Sequence, residues 1–233
     1  MKKLRVIVAC EFSGIVREAF RKRGFDAWSC DLLPTEIPGQ HIQDDVLRHL
    51  DEGWDLMIAH PPCTYLANSG VRWLSENNPR TGELYKERYC KMQEAAKFFN
   101  TLLNADIPHI CIENPIQHQS ARFLIRHYDQ IIQPWRFGYD ASKATCLWLK
   151  GLPKLKPTKL IEPHYRCRCG YRFEYELGKY GCPNCCGEKT AKLVFGNQTP
   201  SGQNNEPPGE NQAKNRSRTF QGVAEAMATQ WNF

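Results

Sequence analysis

Through residue 130 the chain alternates short apolar runs with longer stretches in which apolar residues return every three or four positions. Leu4 to Cys10 is a β-branched apolar run, then comes Ser13-Gly14, then Ile15, Val16, Ala19 and Phe20 at near-helical spacing. That pattern predicts a strand, a tight turn and a helix. Asp26 to Leu32 and Trp54 to Ala59 read as further strands, the latter stopped abruptly by His60-Pro61-Pro62-Cys63. Glu83 to Asn104 is the longest helical pattern, with Tyr89, Met92, Ala95, Ala96, Phe99, Leu102 and Leu103 on one face. His109 to Ile112 is a strand leading into Glu113-Asn114-Pro115, and a helix is expected around Ser120 to Tyr128. Gln130 to Trp135 and Ala144 to Lys150, separated by a polar loop with Gly138 and Asp140, suit a hairpin.

Strand and helix in alternation, closed by a hairpin, predict an α/β fold with a doubly wound, mainly parallel sheet and a terminal antiparallel pair. Ligands of such sheets bind beyond the carboxyl ends of the strands. Phe12-Ser13-Gly14, Asp31, Pro62-Cys63 and Glu113-Asn114 all follow predicted strands. Residues 196–215 are rich in Gln, Asn, Pro, Gly and Ser and read as a flexible connector. Phe220 to Trp231 returns to helical spacing through Val223, Met227 and Trp231. The expected organisation is a core over 1–152, a cysteine-rich insert over 153–195, the connector over 196–215, and a helix over 216–233 that returns to the core.

Composition narrows the class. The 233 residues are 41% hydrophobic and 24% charged, ordinary globular values that exclude a large multidomain machine. No apolar run approaches the roughly 20 residues of a membrane span. The start, Met1-Lys2-Lys3, is basic like a signal peptide, but the apolar run behind it is short and meets Glu11 without a cleavage site. The net charge of +6 is uneven: residues 1–150 carry +1 and residues 151–218 carry +6. A neutral body with a basic later segment suits a phosphate-backbone partner, with solubility as the plainer explanation. Six of the eleven cysteines, Cys10, Cys30, Cys63, Cys90, Cys111 and Cys146, are scattered singly, which points to an intracellular, reducing compartment.

The other five lie in Cys167-Arg168-Cys169-Gly170 and Cys182-Pro183-Asn184-Cys185-Cys186-Gly187, two knuckles with twelve residues between Cys169 and Cys182. Cys167, Cys169, Cys182 and Cys185 have the spacing of zinc-ribbon ligands, with Cys186 as a substitute. Arg168, Arg172 and Lys179, interleaved with Tyr171, Phe173, Tyr175 and Tyr180, suit contact with DNA backbone and exposed bases. A staple that replaces a missing core is the alternative.

Phe12-Ser13-Gly14, Pro61-Pro62-Cys63 and Glu113-Asn114-Pro115, in that order and each after a strand, resemble the cofactor loop, nucleophile motif and Glu-Asn motif of the DNA cytosine-C5 methyltransferases. The shortened form found in bacteriophages and prophages is the nearer likeness, and it covers about residues 4–150 and 214–231. The resemblance implies a Rossmann-like sheet that binds S-adenosylmethionine, with Phe12, Ser13, Gly14 and Pro61 around the donor, Asp31 on its ribose and Asp45 on its adenine. An ordinary turn or capping role is the alternative for Asp31 and Asp45. Three departures stand out. Ile15-Val16 replace glycines of the family's loop. Lys143, in Ala141-Ser142-Lys143-Ala144-Thr145, stands where the family places paired arginines, without their planar fork. Arg216 and Arg218 stand near the donor's reactive end, where the family has small or neutral residues. Two guanidinium groups there call for an anion: the target's phosphate, an acid such as Glu11, or a carboxylate on the donor, as in carboxy-S-adenosylmethionine.

Carbon 5 of cytosine is a poor nucleophile, and a thiolate added at carbon 6 turns the ring into an enamine that attacks an electrophilic carbon. Cys63 is the candidate thiolate, Glu113 the candidate acid for ring nitrogen 3, and Lys143 a candidate to hold either Cys63 or the pyrimidine. A buried structural thiol and a capping carboxylate are the plainer readings of Cys63 and Glu113. The expected function is transfer of a one-carbon group from S-adenosylmethionine to cytosine in DNA, flipped or single-stranded, by an intracellular monomer with bound zinc. Two alternatives stay open: the same attack with a modified donor or another nucleotide substrate, and a non-catalytic nucleic-acid binder with a methyltransferase-like shell.

Overall fold

The computed structural model describes residues 3–68, 77, 82, 84–173, 182–185, 192–199 and 212–232. Lys179, Tyr175, Tyr180 and Cys186, with residues 200–211 of the expected connector, lie outside the described residues. The chain forms two compact units, one of Met1–Ile132, Ala144–Leu155 and Met227–Phe233, the other of Gln133–Lys143 and Lys156–Ala226. No helix among the described residues is long and apolar enough to cross a membrane.

The first unit is built on seven strands: β1 Arg5–Ala9, β2 Asp26–Cys30, β3 His41–Ile42, β4 Leu56–Ala59, β5 His109–Pro115, β6 Gln130–Ile132 and β7 Thr145–Lys150. Their order across the sheet is β3-β2-β1-β4-β5-β7-β6. The pairs from β3 to β5 are parallel, whereas β7 runs antiparallel to both β5 and β6. This is the doubly wound sheet with a terminal antiparallel pair that the alternation predicts, and its order reverses between β1 and β4.

Side-chain alternation tells which helix covers which face. Ile7, Ala9, Met57, Ala59, Ile110, Ile112, Cys146 and Trp148 point to one side and share a cluster with Met92, Ala96, Phe99 and Leu102 of helix α2, Tyr85–Leu103. Val8 and Ser29 point to the other side, where Arg17 of helix α1, Ile15–Lys22, donates from Nη1 to Ser29 Oγ at 3.0 Å. With both faces covered, the central strands are apolar at nearly every position, which explains why they read as continuous runs.

The structure departs from the sequence reading in four places. Glu113 and Asn114 lie within β5, not after it: β4 pairs with β5 only as far as Ile112, and β7 carries β5 on to Pro115. The helix expected over Ser120–Tyr128 is a single 3₁₀ turn, Gln119–Phe123, because the Arg126 carbonyl accepts from Trp148 Nε1 at 2.7 Å and Arg126 Nη2 donates to the Leu149 carbonyl at 2.9 Å. Gln133 to Trp135 leave the strand for a turn. Segments 196–199 and 212–215 of the connector are ordered, the first by Asn197 bonding Ser142 through both its amide atoms and the second in helix α3, Gln212–Ser217.

The second unit contains an antiparallel sheet in the order β10-β8-β9, from β8 His164–Arg166, β9 Arg172–Phe173 and β10 Lys192–Val194. Residues 133–143 belong to it through local bonds: Ile161 N donates to the Trp135 carbonyl at 2.8 Å, Gly138 N to the Lys159 carbonyl at 2.8 Å, and Trp135 stacks on Phe195. The last helix, α4, spans Gln221–Gln230.

Candidate active site and thiolate cluster

At the carboxyl edge of β1, Cys10 adopts a left-handed φ of 56°, and Glu11 turns beneath helix α1. Its carboxylate accepts from Val16 N at 2.7 Å, Arg17 N at 3.2 Å and Ser13 Oγ at 3.1 Å, so this buried acid caps the helix that follows the loop. Burial pushes the Glu11 carboxyl above its ordinary range, opposed first by the charge of His60 and then by those amides. Phe12 and Ser13 are buried and Gly14 sits at φ 74°. A Cβ at Gly14 would lie 2.8 Å from Arg17 Nη2, and a Cβ at Gly39 would do the same. Arg17 therefore fills a slot between two glycines, where it donates to Thr35 Oγ1 and to the Ile37 carbonyl and ties the loop after β2 to the Phe12-Ser13-Gly14 turn.

Asp31 follows β2 and accepts from Leu33 N at Oδ1, while Asp45 caps a 3₁₀ turn by accepting from Leu47 N at Oδ1. Both have the capping role offered as their alternative, and among the described residues Oδ2 of each takes no hydrogen bond. Their charges meet at Cys10, whose thiol is pushed up to about 12 by burial first and then by Asp31, Cys30 and Asp45. Two acids far apart in sequence thus converge beside the end of β1. An acceptor for a ribose diol and one for an adenine amine fit a nucleoside donor at this edge.

Beyond β4, Pro61 is buried and Cys63 is half-buried, its carbonyl accepting from Leu66 N at 3.0 Å and Ala67 N at 2.9 Å. The thiols within the strands are buried: burial pushes Cys30 and Cys146 up to about 11 and Cys111 well up, so they are inert core residues. Glu113 faces this edge from β5, its Oε2 3.2 Å from His60 Nδ1, and Asn114 Nδ2 donates to the Pro61 carbonyl at 2.9 Å, joining the two motifs. Asn114 Oδ1 is buried without a hydrogen-bond partner among the described residues. Glu11 is held by residues close by in the chain, whereas the contact of His60 with Glu113 is long-range, and the hint of both in the sequence is their position directly ahead of the two motifs.

In the second unit, the four ligand atoms of Cys167, Cys169, Cys182 and Cys185 lie within 4.8 Å of one another. Cys167 Sγ is 3.6 Å from Cys185 Sγ, and Cys169 Sγ is 3.7 Å from Cys182 Sγ. Four sulfurs at about 2.3 Å from a tetrahedral zinc stand about 3.8 Å apart, so the cluster has the size for that ion. Asn184 Nδ2 donates to Cys169 Sγ at 3.8 Å, the kind of outer contact that steadies a thiolate. Arg168 is exposed. Arg172 is engaged, donating to Asp140 Oδ2 at 2.7 Å and to His164 Nε2 at 2.8 Å, and its charge adds to burial in holding the His164 ring below its ordinary value. Lys143 Nζ donates to the Arg216 carbonyl at 2.8 Å, Arg218 Nη1 to Asn215 Oδ1 at 3.0 Å, and the Arg216 side chain is exposed.

No family model and no curated protein matches this chain. Solved structures with partial likeness include a DNA modification methyltransferase encoded within a prophage of E. coli, at 15% identity and TM-score 0.43 over 78% of this chain and 56% of that one. The methyltransferase EhMeth of Entamoeba histolytica has 16% identity and TM-score 0.42 over 70% of this chain and 59% of its own. Spodoptera frugiperda DNMT2 has 13% identity and TM-score 0.38 over 68% and 54%. This chain therefore spans less than two thirds of each of those proteins, and the likeness adds nothing to what the strand order and the site residues already carry.

Proposed function

We propose that the first unit is the catalytic core of an S-adenosylmethionine-dependent transferase that modifies carbon 5 of cytosine in DNA, flipped or single-stranded. The observation that carries this reading is the placement of Cys63 and Glu113 at the carboxyl edge of adjacent parallel strands, joined by the bond from Asn114 to Pro61. Strands about 4.8 Å apart bring a nucleophile and an acid to one flat ring. On the other side of the switch point, Asp31, Asp45 and the Phe12-Ser13-Gly14 turn form the donor side, and the donor, when bound, supplies an electrophilic carbon. Cys63 adds to carbon 6, and Glu113 protonates nitrogen 3 and so stabilises the enamine. The second unit holds structural zinc in a closed four-thiolate site, and Arg168 is an exposed cation there for the DNA backbone.

Mass spectrometry of nucleosides from DNA treated with the protein and donor should show 5-methylcytosine, and Cys63→Ala should abolish both product and covalent trapping on 5-fluorocytosine DNA while donor affinity stays unchanged. Robust turnover by Cys63→Ala refutes the mechanism. Offering carboxy-S-adenosylmethionine in the same assay separates methyl from carboxymethyl transfer. If Arg216 and Arg218 read a carboxylate, a preference for that donor collapses in Arg216→Ala or Arg218→Ala. If they hold phosphate, only DNA affinity falls.

A further inference from the structure

Glu11 follows β1, His60 follows β4 and Glu113 lies in β5, three neighbouring strands whose carboxyl ends form one edge. His60 Nδ1 is 3.2 Å from Glu113 Oε2, with each side chain only 11% exposed. On the other side the His60 charge acts on Glu11, which is 4% exposed. One imidazole thus stands between two carboxyl groups in a setting too dry for all three to titrate independently.

None of the three is on a loose loop. His60 N donates to the Ala9 carbonyl at 2.9 Å, and Pro61, next in the chain, has its carbonyl held by Asn114. Glu11 is fixed by two helix amides and the Ser13 hydroxyl. Glu113 is in register with Leu147 of β7, which carries no charge. Of the other titratable groups on β5, His109 lies at the start of the strand against the Gly151 carbonyl, and the Cys111 thiol is fully buried and protonated and feels the Glu113 charge. The ring of His60, at 3.2 Å, is placed to exchange a proton with Glu113.

We infer that His60 is a positioning residue that shares one proton with Glu113 and thereby sets both the orientation and the protonation of that carboxyl. The inference rests on the role proposed above for Glu113 and adds a residue to it. The pair carries one titratable proton, on the carboxyl or on the ring. When Cys63 forms its bond to carbon 6, an O–H bond of Glu113 breaks and an N–H bond forms at nitrogen 3. The carboxylate left behind faces the Nδ1–H of a neutral imidazole. Once the transferred carbon is bonded to carbon 5, the carbon 5 proton passes to solvent water as the C6–S bond breaks and expels the thiolate, and nitrogen 3 returns its proton to the pair, so the pair ends the cycle as it began.

The test uses the full chain with His60→Ala and His60→Asn, the second keeping an N–H near the place of Nδ1 without titrating. Loss of the ring should lower kcat by about 100-fold in His60→Ala with KM for DNA little changed. His60→Asn should recover much of the rate near neutral pH, with one ionisation missing from the pH–rate profile. A wild-type profile in His60→Asn, or effects confined to KM, would overturn the inference. Infrared titration of the Glu113 carboxyl band, assigned by its loss in Glu113→Gln, is read without turnover. Its midpoint should move by about one pH unit or more in His60→Asn. An unmoved midpoint overturns the shared proton even in an active enzyme, whereas a moved midpoint in a protein that modifies no DNA refutes only the proposed function.

Discussion

Among the described residues, Phe99, Ile110 and Trp148 of the first unit are fully buried in a cluster of 22 core residues, whereas the apolar cluster at the four cysteines of the second unit consists of Cys167, Phe173 and Cys182 with Tyr165 leaning on it. The sheet positions its functional groups by hydrophobic burial and strand register, which need no ligand. Among the described residues around the four cysteines there is little apolar surface, so on the proposed reading order there comes from cross-linking by metal. The site at the sheet edge can therefore be tuned one side chain at a time, while the thiolate cluster stands or falls as a whole.

Removing the metal should break this contrast most sharply. Structural zinc contributes about 10 kcal/mol or more to the folding of small domains, so chelation or Cys182→Ser should abolish amide protection in β8 and β9 while β1, β4 and β5 keep theirs. Hydrogen exchange read by mass spectrometry checks this, and metal analysis should find one zinc per chain. Phe99→Ala should act in the opposite sense. It removes the ring packed edge-on against Trp148 at 5.0 Å and should cost the first unit about 4 kcal/mol, measured by denaturant unfolding, with metal content unchanged.

Arg17→Met tests whether the donor side is built by register alone. It removes a buried donor from Ser29 Oγ, which keeps His41 Nδ1, and from the Ile37 carbonyl, which keeps Thr35 Oγ1, at a cost of about 1 kcal/mol, and should weaken donor binding more than DNA binding because the tie between two segments of the proposed donor side is lost. Calorimetric titration with each ligand distinguishes them. The smallest effect is a pH dependence at His49, whose ring is raised above its ordinary value chiefly by Glu52 and also by Asp44. A raised base stabilises the fold fully below the unfolded value of about 6.5 and loses that contribution as pH rises through the folded value. His49→Gln should thus lower stability by less than about 1 kcal/mol at pH 6 and by nothing at pH 9, as thermal melts would show.

Burial also decides what was legible in the sequence. β1, β4 and β5 are apolar on both faces and cannot be mistaken, and α1 and α2 show their buried stripes. The two-residue strand β3 has no pattern to show, and the expected helix over Ser120–Tyr128 loses to bonds that tie Arg126 to β7. Cys63 and Glu113 are visible because each belongs to a short motif. The contact between His60 and Glu113 is not, since it depends on two strands lying side by side. Arg172 shows the same limit, as its charge suggests a DNA contact while its pairing with Asp140, 32 residues away, has no signal in the sequence.

The division of the first unit into three segments has a consequence for the order of events during synthesis. Trp231 is fully buried, with its Nε1 donating to the Pro153 carbonyl at 3.0 Å, and it belongs with strands completed long before it is made. At about 5–20 residues per second, the ribosome needs roughly 4–16 s to pass from the end of β7, which completes the sheet, to this residue. For that interval the first unit waits for its last segment, so the nascent chain must tolerate an unfinished core until its late helix arrives.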